Sequence, residues 1–101
     1  MGSRTGQAYE DLQRELGRER AGALGRIGRT LEALLARLAE LRGQWQTAGQ
    51  EQRRAIARDY AGCRAEARQY RWYLEVQREA VGLRHHHDLD RAYPIPPPLD
   101  G

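Results

Sequence analysis

Lysine, asparagine and phenylalanine do not occur in this chain of 101 residues, and serine and cysteine occur once each, as Ser3 and Cys63. A single cysteine excludes an internal disulfide and fits a reducing compartment. Nucleophilic catalysis is equally short of material. Ser3 stands alone at the chain's beginning, and the histidines nearest Cys63 lie more than 20 residues further on, about 30 Å by helical rise. Two Val, three Ile and 7% aromatic residues are too few to fill a sheet. No stretch approaches the ~20 apolar residues of a membrane span. No apolar run follows the first residues, so a secretory leader is not expected and the expected location is cytoplasmic. Met1-Gly2 has Gly6 where an N-myristoylation signal wants Ser or Thr. The run Gly22-x-x-Gly25-x-x-Gly28 lacks the strand and spacing of a phosphate-binding loop.

What the chain does contain favours helix: 14 Ala, 12 Leu and 31% charged residues. All 17 cations are Arg, and the net charge is +3. Planar guanidinium forks suit phosphate recognition. The charge is nevertheless far below that of a nucleic-acid-binding tail, and a general bias toward Arg, Ala, Gly and Leu is the simpler account.

Residues 1–7 carry no apolar periodicity and read as a disordered lead-in. Periodicity begins with Tyr9, Leu12 and Leu16. It is strongest along Leu24, Ile27, Leu31, Leu34, Leu38, Leu41, Trp45 and Ala48, which step by three and four as the a and d positions of a heptad. Gly43 and Gly49 bracket a turn, and Thr47 with Gln50 fits a capping box. A second heptad runs through Ile56, Tyr60, Cys63, Ala67, Tyr70, Leu74, Gln77 and Val81. Two arms, 8–45 and 48–83, each about 55 Å long, joined by a short turn, predict an all-α antiparallel hairpin over 8–85. Gly17, Gly22, Gly25 and Gly28 admit either a break in the first arm or a bent, mostly continuous helix packed closely against Trp72 and Tyr73. We favour the second. A hairpin of this size has almost no interior, so dimerisation into a four-helix bundle is the expected remedy.

Three constellations carry chemistry. His85, His86, His87 and Asp88 are metal-ligand types, but adjacent helical side chains point about 100° apart, so one ion is poorly served. A solvated helix end is expected there, with no metal and no cofactor. Glu79 can join His86 only if the helix unwinds after Gly82. Arg64, Arg68, Arg71 and Arg78 form a stripe beside the second heptad, with Trp72 and Tyr73 nearby, as on a stacking platform for nucleic acid. Pairing with acids of a neighbouring helix is the preferred reading, with Asp59 and Glu66 placed for it. Finally, segment 86–101 holds Arg91-x-x-Pro94-x-x-Pro97, a pattern that aromatic grooves bind as polyproline II. Docking of this tail on its own bundle through Tyr93, Ile95 and Leu99 is favoured over a partner.

These readings converge on a non-enzymatic helical adaptor or assembly protein. It would associate with itself and with another protein through the apolar stripe, away from any membrane. The alternatives are a small Arg-rich nucleic-acid-binding accessory protein and, third, a metal-binding helical bundle.

Overall fold

The computed structural model describes residues 2–99, with side chains from residue 6 on. Three helices follow one another: α1, Gly2–Thr47; α2, Gln50–Ala80; and α3, His87–Ala92. The last is followed by a non-helical stretch to Leu99. Helices α1 and α2 pack against each other as an antiparallel hairpin, in a body measuring 75 × 21 × 15 Å.

The arms are unequal, with 46 and 31 residues. At the front, α1 starts at Gly2 and runs through the segment read as a disordered lead-in. It also crosses Gly17, Gly22, Gly25 and Gly28 without a break, as favoured. At the other end, α2 stops earlier than the heptad suggested. Gly82 has φ +92°, its N–H donates to Glu79 O at 3.0 Å, and the Leu83 N–H donates to Arg78 O at 2.9 Å. That pair of bonds is a Schellman motif with glycine at its left-handed position. It leaves Val81, assigned above to the association core, at the helix end and 38% exposed.

The turn is also shifted. Helix α2 is capped at Gly49, whose N–H donates to Gln52 Oε1 at 3.2 Å. The box is therefore half made, because glycine has no side chain to complete it, and it is not the Thr47–Gln50 box read from the sequence. Thr47 instead turns its hydroxyl back to Gln44 O. The open carbonyls ending α1 are met from across the turn. Arg53 donates from Nε to Trp45 O at 3.0 Å and from Nη2 to Gln46 O at 3.3 Å, with its guanidinium 4.5 Å from the Trp45 ring centroid. A cation on the negative end of a helix is the favourable placement.

The buried apolar side chains are Leu31, Leu38 and Leu41 of α1, Tyr60, Ala67 and Leu74 of α2, and Leu89 of α3. Residues 31 and 38, and 60, 67 and 74, are each seven apart, so one row of side chains along each helix takes the centre. Leu24, Ile27, Leu34, Ile56, Cys63 and Tyr70 flank it, partly buried. Two helices alone would leave this seam open along one side. The third layer comes from the chain's own C-terminal end, with Leu89 fully in the core and Tyr93, Ile95 and Leu99 packed on it.

The same layer overturns the expected joint between the glycines and α2. Trp72 is 59% exposed. What faces Gly28 is Tyr93, whose hydroxyl lies 3.1 Å from where a Cβ would stand. The small-against-large fit exists, but the large partner comes from the tail.

Candidate functional site

The arginine stripe is the floor on which the C-terminal segment lies. Arg64 donates through Nε to Pro96 O at 2.8 Å. Arg71, whose side chain is 11% exposed, holds Glu75 at 2.5 Å with one Nη and Asp90 with the other. Arg78 donates from Nη2 to His85 O at 3.2 Å and to Asp88 Oδ2 at 3.2 Å. Arg68 stays exposed at the rim of a groove of about 630 Å³, lined also by Arg64, Arg71, Trp72 and Tyr93. The acids that meet this stripe are therefore Glu75 of α2 itself and Asp88 and Asp90 of α3, while Asp59 and Glu66 lie exposed. Desolvation, the largest single influence, raises the Asp88 carboxyl. The Arg78 guanidinium, hydrogen bonds and His87 outweigh it and hold that carboxyl below the ordinary carboxylate range.

Further along, the segment 93–99 is read by a cluster of donors. Tyr60, 1% exposed, donates its hydroxyl to Pro97 O at 2.7 Å. Arg42 donates from Nη2 to Pro97 O at 3.0 Å and to the Tyr60 hydroxyl at 2.9 Å, and its guanidinium lies 5.6 Å from the Tyr60 ring centroid. Proline has no N–H, so a proline-rich stretch always presents carbonyls without partners of their own. Three side-chain donors aimed at two such carbonyls make a seat for this backbone type. The docking through Tyr93, Ile95 and Leu99 that the sequence favoured is what the structure has.

The histidines sit at the hinge between α2 and α3. Because α2 unwinds at Gly82, His86 Nε2 reaches Glu79 Oε1 at 3.0 Å, as the sequence reading required. His86 caps α3 and His87 opens it, with the His85 and His87 rings 6.1 Å apart. Among the described residues, no group of three His, Cys, Asp or Glu is placed to hold a metal ion. Cys63 lies half-buried with its Sγ 3.5 Å from Leu34 O. Burial, then Glu66, push its thiol up, and Arg37 offsets only part of this. A raised thiol is a poor nucleophile.

The second surface is apolar. Cys63 meets Leu34 and Arg53 meets Trp45, so residues facing across the hairpin sum to 97 or 98. Ala80, the end of α2, thus comes level with about residue 17 of α1. Ahead of that point α1 has no second helix beside it, and Tyr9 and Leu12 are 63% and 52% exposed. Trp72, Tyr73, Val76, Val81 and Leu83 form further exposed apolar surface on and just beyond α2.

Leu89 and α3 were missed. A lone Leu between Asp88 and Asp90 has no periodicity to mark it, although two acids bracketing one large apolar residue ahead of Tyr93 is a weak sign of an anchor. Arg42 and Arg53 were missed because their acceptors are backbone carbonyls distant in sequence. No helix among the described residues is long and apolar enough to cross a membrane. Compared with known protein families, curated proteins and solved structures, the chain matches no family model, no curated sequence and no solved structure.

Proposed function

We propose that the protein is a non-enzymatic helical assembly or adaptor protein, and that the amino-terminal end of α1 is the surface on which a second copy, or an amphipathic helix of another protein, docks. One observation carries this reading: the apolar face of α1 continues past the end of its cover. Leu16, Ala23, Ile27, Leu34, Leu38 and Trp45 step by seven and four. Eleven residues turn a helix by about 1,100°, only about 20° past three full turns, so Leu16, Ile27 and Leu38 share one face. Tyr9 and Leu12, seven and four residues before Leu16, lie on it too. Helix α2 covers this face from about residue 17 onward; ahead of that point Leu16 is half-buried and Tyr9 and Leu12 are exposed.

The charges around the bare face suit a helix rather than a polyanion. Glu10, Asp11, Glu15 and Glu19 alternate with Arg14, Arg18 and Arg20, and Asp11 already pairs with Arg14 at 2.6 Å. Two copies related by a two-fold axis would lay these ends side by side, each in the place that α2 leaves empty. Burying three side chains from each copy, at about 1.5 kcal/mol apiece for groups already partly covered, gives ~9 kcal/mol before the cost of association. That corresponds to a weak, concentration-dependent dimer. The arginine stripe argues less for nucleic acid, since Arg64, Arg71 and Arg78 are engaged by the chain's own carbonyls and carboxylates.

Light scattering across a concentration series tests the reading. The wild-type protein is expected to gain mass above 11.6 kDa in the micromolar range or just above it. The double variant Leu12→Asp with Leu16→Asp is expected to stay monomeric while keeping a hairpin of unchanged melting temperature. A wild-type monomer at every concentration, or a dimer indifferent to both aspartates, would overturn the reading.

A further inference from the structure

We propose that the seat holding segment 87–99 also accepts that segment from a second copy, so that the protein exchanges its C-terminal strap between chains. This rests on a different surface from the bare end of α1 and stands or falls separately.

The contacts that hold the strap are few in kind and fully reproducible in trans. Leu89 enters the seam between the helices, Arg71 and Arg78 take Asp90 and Asp88, and Arg64, Tyr60 and Arg42 take the carbonyls of Pro96 and Pro97. A second copy offers each of these groups identically, so exchange costs none of these contacts and gives up only those within the hinge. Tyr60 makes the seat demanding. Its hydroxyl is buried, and its acceptor is a carbonyl of the strap. A hairpin without a strap would lose that hydrogen bond and bare Leu31 and Leu38 to water, so an opened chain has a strong reason to take its neighbour's strap.

The hinge is where the chain decides between the two arrangements. Residues 81–86 reverse the chain, and residues 81–85 are exposed. The reversal depends on Gly82 at φ +92°, a region that side chains other than glycine rarely adopt. Closing the hinge also leaves Arg78 Nε and His86 Nδ1 buried without hydrogen-bond partners. If Gly82 turned helical, α2 would run on toward α3 and carry the strap away from its own hairpin. Nothing lies within 4 Å of a Cβ added at Gly82, so alanine there perturbs the backbone preference alone.

The experiment places Gly82→Ala in the full chain alongside Leu12→Asp and Leu16→Asp, which silence association through the bare α1 end. Light scattering at increasing concentration is expected to show a dimer that the double aspartate variant lacks. The shift per hinge in favour of the open form is about tenfold. Adding Ile95→Asp is expected to return the protein to monomer, because the strap then fits neither seat. Should Gly82→Ala prevent folding, deletion of residues 83 and 84 serves instead, since a hinge too short to close forces the strap outward. A helical monomer from whichever hinge variant folds, or a dimer indifferent to Ile95→Asp, would overturn the exchange. Failure of the aspartates to affect wild-type association would count against the assembly surface only.

Discussion

Gly28 offers the cleanest test of where the strap lies. Glycine inside a helix costs about 1 kcal/mol relative to alanine. Gly43 and Gly62 are helical, exposed, and have nothing within 4 Å of an added Cβ. Gly43→Ala and Gly62→Ala are therefore each expected to stabilise by ~1 kcal/mol, which raises Tm by roughly 4–8 °C in a domain of this size. Gly28→Ala should gain the same backbone term and lose it again. Its Cβ would stand 3.1 Å from the Tyr93 hydroxyl, so that ring must shift by a few tenths of an ångström while holding the strap against α1. The expected net effect is zero to mildly destabilising, about 1 kcal/mol below the other two. Tyr93→Phe removes the obstructing oxygen. In that background Gly28→Ala should recover the missing ~1 kcal/mol, and the coupling between the two sites is the measured quantity. Urea denaturation followed at 222 nm supplies all the values. If Gly28→Ala stabilises as much as Gly62→Ala with Tyr93 intact, the strap does not pack on α1 and the three-layer account fails.

Tyr60→Phe should cost about 0.5–1.5 kcal/mol and increase amide exchange at Tyr93, Ile95 and Leu99, because it removes the donor to Pro97 O while keeping the ring in the core. Exchange unchanged in that segment would mean that the carbonyl contact holds nothing. Asp88 sets a pH limit on the strap. Its carboxyl is held below the ordinary range, so its contribution is complete above about pH 4 and is lost as pH falls through the lowered value. Protection factors at residues 87–92, which correct for the intrinsic pH dependence of exchange, should fall in that window for the wild type and stay level there for Asp88→Asn. Cys63, with its thiol pushed up by burial, should react with iodoacetamide near neutral pH several-fold more slowly than an unfolded control; an equal rate would place the thiol in solvent.

Much of this architecture is legible in the sequence because hydrophobic spacing depends only on helix geometry. Leu31, Leu38, Tyr60 and Leu74, picked out by helical spacing, are buried between the helices. Gly82 ends the second helix, although about three residues sooner than expected, because a Schellman turn consumes the residues around its glycine. The arm lengths were misjudged at the front, where nothing in residues 2–7 forbids helix. Gly28 was given the wrong partner for a more general reason. Symmetric facing of two helices assumes that only two helices exist, and the sequence holds no periodic sign of a third layer. A six-residue helix and a proline-rich stretch bury their anchors irregularly, at 89, 93, 95 and 99, where no window of fixed period gathers them. The Arg stripe was likewise legible as a set of residues but not in its pairing, since Asp88 and Asp90 lie 10 and 19 residues beyond their partners.

The third layer removes the need for association along the seam. A bare two-helix hairpin would have to dimerise along its whole seam merely to bury Leu31, Leu38 and Leu74, and folding and assembly would be one event. With Leu89, Tyr93, Ile95 and Leu99 laid over that seam, the paired part of the molecule is covered by its own chain. The apolar surface left over is then local. It comprises the α1 end with Tyr9 and Leu12, together with the strip from Trp72 to Leu83 near the end of α2. Assembly through such a surface can be lost without loss of the hairpin, which a seam-wide bundle does not allow. The comparison that decides between them is Leu38→Asp against Leu12→Asp. Leu38 is 0% exposed, and a charge there should unfold the hairpin whatever the oligomeric state. Leu12→Asp should leave the melting temperature where it was and remove only the dependence of mass on concentration. A seam-wide bundle would instead respond to both substitutions with loss of helix and mass together, since in that arrangement neither survives without the other.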